Sequence, residues 1–185
     1  MSFRTMLLAA LLACQPVLAQ LAPPKPAAAA SVFRVAQWEE LVPKGWDPFA
    51  QFKGMNLGML SDSSPRALQM MRELREALDN APTVAALDGA MVKLPGYVVP
   101  LEEAKGELKE FLLVPYFGAC IHTPPPPANQ IIHVVVAKPV KGFRAMEAVW
   151  VSGTLKPARQ DSAMGVSGYQ MQAAAIDHYV PPKRP

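Results

Sequence analysis

The sequence predicts a mainly β domain: a small five-stranded OB-like barrel preceded by one amphipathic helix and an N-terminal strap, α+β overall. Three observations lead there. Five short apolar stretches, separated by turn residues, fill residues 90–180. Several carry internal Gly or Pro, which suits strands bent around a small closed or partly closed barrel. The one strong helical periodicity lies before all of them. A flat open sheet covered by the helix is the alternative arrangement.

The chain opens "MSFRTMLLAALLACQPVLAQ". Arg4, an apolar run from Met6 to Ala13 and the small residues of Val17-Leu18-Ala19 have the layout of a secretory signal over residues 1–19. The run is too short to span a membrane, and no other long apolar run follows. Cleavage after Ala19 leaves a soluble periplasmic or secreted chain. In the alternative, Leu11-Leu12-Ala13-Cys14 is a lipobox and Cys14 carries lipid. Residues 20–34 are a Pro/Ala-rich tether expected to be disordered. Residues 35–180 form one domain, and 181–185 are a tail.

Composition narrows the classes. Net charge is +3, and one less without Arg4, which is too little and too scattered for a nucleic-acid surface. Only two cysteines exist. Export removes or modifies Cys14, so Cys120 has no partner within the chain. In an oxidising compartment such a thiol is buried, metal-bound or reactive.

Ala36–Leu41 has room for a turn or two of helix before Pro43. Trp38, Leu41, Trp46 and Phe49 are expected to strap this segment onto the main body. In "SPRALQMMRELREALD" (64–79), Ser64 suits the N-cap and Pro65 the first turn. Ala67, Met71, Leu74 and Leu78 recur at helical spacing, with Met70 and Ala77 widening the stripe. The strands then follow. Residues 90–101 read as a bent strand at a sheet edge, and 109–118 as the second strand. Residues 130–139, β-branched on both faces, read as the buried central strand. In 147–157, Val149, Val151 and Leu155 face opposite to Trp150, Ser152 and Thr154. In 166–180, Tyr169, Met171 and Ala173 alternate with Gln170 and Gln172.

Chemistry concentrates in "PYFGACIHTPPPPANQ" (115–130). Cys120 and His122, two apart, project to one side of an extended chain. Thiolate and imidazole are both zinc ligands, and thiolate also suits Cu(I). His133, on the next and otherwise apolar strand, is the third candidate, unless it is a hydrogen-bonded core histidine. His178 is a more distant fourth. A Cys near a His also permits nucleophilic catalysis, with Asp88, Asp161 or Asp177 to orient the base. No hydrolase signature accompanies it, so no catalytic residue is assigned. Pro124–Pro127 form a polyproline II strap. Tyr116 and Phe117 are placed to stack on it, and the Asn129 and Gln130 amides to tie it down.

"LDGAMVKLPGYVVPLE", "FLLVPYFGACIHTPPPPANQIIHV" and "VWVSGTL", with "WEELVPKGW" near the mature start, resemble the secreted bacterial proteins grouped as domain of unknown function 3299. The resemblance covers roughly residues 35–180. The motif match carries over Cys120, His122, Asn129 and Gln130, with His133 just after the run. It implies a setting beside ABC-type transport components, in places zinc-responsive, and so an accessory or metal-handling role. The expectation is therefore an exported non-catalytic binding protein, with zinc or copper as its ion. Cys120, His122 and His133 are the metal ligands and Tyr116, Asn129 and Gln130 are binding residues. A membrane transport complex or another envelope protein is the partner. The alternatives are a peptide- or partner-binding barrel with Cys120 merely structural, and a Cys-dependent enzyme.

Overall fold

Among the described residues, six strands succeed one another: β1 (Arg34–Val35), β2 (Met91–Ala104), β3 (Glu107–Val114), β4 (Ile132–Lys141), β5 (Ala148–Ser162) and β6 (Gly165–His178). An α-helix, α1 (Pro65–Asp79), precedes β2. The structure, a computed structural model, describes residues 33–54, 61, 63–104, 106–119 and 126–180. The signal, Cys14, the tether up to Val32, Cys120, His122, Pro124, Pro125 and the tail lie outside the described residues. Arg34, expected to end the tether, is already part of β1.

The sheet runs β1-β2-β3-β4-β6-β5, and a further β2–β5 pairing closes β2 to β6 into a five-stranded ring. β4 and β6 run parallel, and the other ring pairs are antiparallel. This is the OB-like barrel expected from the sequence, and closure rules out the flat sheet. β1 is an additional strand, parallel to the start of β2.

One expectation is corrected by the closure. β2 is not an edge strand: it pairs with β5 over Met91–Tyr97 and with β3 over Tyr97–Ala104, changing partner at Tyr97. Its Pro and Gly mark that bend. The Pro95 carbonyl accepts from the Trp38 indole N–H at 2.7 Å, which ties the N-terminal strap to the bend. At Gly96 a Cβ would lie 2.8 Å from Leu113 Cγ and the Val114 carbonyl oxygen, so the strands approach too closely for any side chain.

Alternation then fills the barrel. Leu94, Val98, Phe111, Leu113, Ile132, Val134, Val149, Val151, Leu155, Tyr169 and Met171 form one buried cluster. Each such side chain removed from water contributes about 1.5–3 kcal/mol. On the other face of β3, a smaller cluster joins Val99, Leu112, Val114, Ala119 and Ile131. The two-sided burial expected along β4 ends at Val134: Val135 and Val136 are half-buried, residues 137–139 are exposed, and Val140 packs partly buried against the core.

The helix begins as its sequence dictates. The Ser64 hydroxyl accepts from the Ala67 N–H at 3.2 Å, with Pro65 at the first position. Its buried residues are Met70 and Leu78, both on the expected stripe, with Ala67, Leu74 and Ala77 partly buried, whereas Met71 is exposed. In the strap, Trp38–Leu41 form a 3-10 turn and Leu41 is wholly buried. Phe49 is exposed, and Phe52 takes the burial assigned to it.

Candidate functional site

β3 and β4 hold the site. Their register sets Leu112 opposite His133 and Glu110 opposite Val135. Residues two apart share a face, so Glu110 is the diagonal neighbour of His133, within reach of a long side chain. The His133 Nε2 lies 2.9 Å from the Glu110 Oε2. His133 is 2% exposed, while the Glu110 side chain is 39% exposed, leaving its carboxylate in partial contact with water. A carboxylate only accepts, so the Nε2 carries the proton in this pair and donates it. The other ring nitrogen, Nδ1, is buried with no hydrogen-bond partner among the described residues.

That vacancy on Nδ1 is costly. A buried polar atom without a partner forfeits about 1–3 kcal/mol. Leu112, opposite His133, packs in the same small cluster as Ala119, the residue immediately before Cys120. Cys120 and His122 themselves lie outside the described residues. Among the described residues, no three His, Cys, Asp or Glu side chains cluster closely enough to hold a metal ion.

The other candidates scatter. His178 does not join His133: eight residues beyond Gln170, the β6 partner of His133, it stands roughly 26 Å along the strand at about 3.3 Å per residue. There its Nδ1 lies 2.7 Å from the Glu147 Oε1, and its ring stacks on Phe143 at 4.7 Å. Asp161 pairs with Arg159, and Asp177 with Lys93. Asn129 is fully buried: its Nδ2 donates to the Pro82 carbonyl at 2.9 Å, tying the end of the proline strap to the link after α1. The Asn129 Oδ1 has no hydrogen-bond partner among the described residues. The Gln130 N–H donates to the Pro127 carbonyl, closing a 3-10 turn. Tyr116 is half-exposed, and Phe117 packs edge-on against Tyr97, centroids 5.8 Å apart. Among the described residues, no helix is long and apolar enough to cross a membrane.

Glu110 escaped sequence reasoning. Its signal was available only once register was known: it shares a face with Leu112, and Leu112 faces His133.

Comparison with known proteins places this architecture. The family model "Protein of unknown function (DUF3299)" matches residues 38–178. The crystal structure of a DUF3299 family protein from Pseudomonas aeruginosa PAO1 superposes with a TM-score of 0.60 at 39% identity, covering 81% of this chain and 98% of that one. No curated protein matches. With the barrel, the strap and the segment leading to Cys120 all inside the matched span, the chain belongs to the DUF3299 family.

Proposed function

We propose that this is an exported, non-catalytic protein that binds a transition-metal ion, zinc or copper, and hands it to or from an envelope transport system. One observation carries the reading: the buried, unpartnered Nδ1 of His133, whose other ring nitrogen is held by Glu110. Metal-ligating histidines have this arrangement, with one nitrogen on the ion and the other donating to a carboxylate. Cys120 and His122 supply the remaining protein donors in this reading, and Ala119 anchors the start of their segment over β3. The apolar run at residues 6–13 supports export.

Titration of the metal-free protein with zinc tests it. The parent binds at micromolar concentration or tighter, while Cys120→Ser, His122→Ala and His133→Ala each weaken binding by orders of magnitude. A parent that binds no zinc or copper at micromolar concentration overturns the reading, as do variants that bind like the parent.

A second reading, a partner-binding barrel, is favoured by one surface. Trp38, Pro95, Tyr97, Pro115 and Tyr179 line a cleft of about 230 Å³, with exposed Phe117 against Tyr97. Such aromatic clefts suit extended proline-rich peptides. Retention of an envelope partner by the His133→Ala variant, and its loss from Tyr97→Ala, separates this reading from the first.

A further inference from the structure

We infer that Glu110 is a positioning residue: it selects which nitrogen of His133 meets the ion, and so makes Nδ1 the ligating atom. The inference rests on the metal-binding reading above and adds to it the geometry and the class of ion.

Three features converge on Glu110. First, it is held where the ladders on both of its sides break. Between Leu108 and Glu110 the register with β4 jumps from Val140 to Val135. On the other side, Phe111 faces Pro100 whereas Glu110 faces Glu102, skipping Leu101. Such irregularities re-aim a side chain and often lie beside functional sites. Second, the Glu102 opposite it is occupied elsewhere, by Lys109 Nζ at 2.8 Å. The like charge facing Glu110 is thereby offset, and its carboxylate is left to His133. Third, the His133 ring is enclosed whereas the Glu110 carboxylate is partly hydrated. A partly hydrated carboxylate needs no second protein partner, so its Oε2 is left to accept from the His133 Nε2.

The consequence follows from the donor inventory. An acceptor-only group at Nε2 keeps a proton there, so the lone pair that an imidazole offers an ion lies at Nδ1. An imidazole lone pair suits zinc, copper, iron or nickel, whereas magnesium and calcium take oxygen ligands. The site is therefore one for a borderline transition ion.

The test uses the full mature chain with 15N-labelled histidine. In the metal-free parent, His133 should show the Nε2–H tautomer. Added zinc should shift its Nδ1 resonance while Nε2 keeps its proton. Glu110→Ala should mix the tautomers and weaken zinc binding by roughly 10- to 100-fold. Glu110→Gln, whose amide oxygen still accepts, should lose less. An Nδ1–H tautomer in the metal-free parent, a zinc-induced shift at Nε2, or a Glu110→Ala variant that binds zinc like the parent overturns the assignment of Glu110 alone. A parent with the Nε2–H tautomer that binds no zinc overturns the metal reading, and the positioning role falls with it.

Discussion

The Tyr169 hydroxyl donates to the Leu41 carbonyl at 2.8 Å, linking residues 128 positions apart, and accepts from the Val84 N–H at 2.7 Å. The ring itself is fully buried in the barrel core. A single β6 side chain thus fastens the N-terminal strap and the link after α1 to the barrel. Tyr169→Phe keeps the ring and strands a buried carbonyl and an N–H. The expected cost is about 1–3 kcal/mol. For a chain of this size each kcal/mol lowers Tm by about 2–4 °C. Calorimetry reads the change; an unaltered Tm means that Leu41 and Trp38 packing alone hold the strap.

The same tyrosine predicts an alkaline weakness. Burial raises its pKa above the ordinary 10.0, partly opposed by the Val84 N–H. A folded pKa raised above the unfolded one means that full stability is present below the unfolded value. It is lost as pH climbs from there through the folded value, because only the unfolded chain releases the proton. Urea midpoints measured upward from pH 9 should fall for the parent and fall less for Tyr169→Phe. Parallel curves would show that Tyr169 does not drive the loss.

β4 distinguishes its two faces sharply. Val134 is wholly buried in the barrel, and Val135 is half-buried on the face shared with Glu110. Val134→Asp buries an unpaired carboxylate and should cost several kcal/mol, roughly 3 or more. Val135→Asp should cost less, since its carboxylate reaches water, and its penalty comes mainly from repulsion by Glu110 directly opposite. Equal losses of Tm for the two would refute the assigned facing of β4.

These contrasts show what could be read before the fold was known. The five strands, the Ser64 cap and the inward set Val149, Val151 and Leu155 follow from local periodicity, and local periodicity is what a sequence displays. Ring closure is not local. The β2–β5 pairing takes β2 off the edge of the barrel sheet, and residues 51 or more positions apart make it. Met71, which turns out of an otherwise inward stripe, and Phe49, whose burial falls to Phe52, are errors of facing, decided by what α1 and the strap happen to pack against. His133 stood out because an imidazole interrupts an apolar strand. Glu110 did not, because a charged residue on a strand ordinarily faces water and only β3–β4 register brings it to the ring. Cys120 and His122 remain the expectation of motif and spacing.

The acid limb of stability depends on Glu147. The Arg144 N–H donates to its carboxylate at 2.9 Å and the His178 ring sits at 2.7 Å, closing the turn before β5 onto the end of β6. The Arg144 bond is the largest influence, with the His178 bond adding to it and burial opposing; together they hold the Glu147 carboxyl below its ordinary value of 4.5. A depressed folded pKa contributes stability that is present above the unfolded pKa and lost as pH falls through the folded one. Glu147→Gln keeps an oxygen for the Arg144 N–H and removes the titration. Between pH 6 and pH 3 the denaturation midpoint of the parent should therefore drop toward that of the variant, with the gap widest near neutrality. A gap that stays constant across this range would show that the carboxylate charge contributes nothing to holding β6 against the turn.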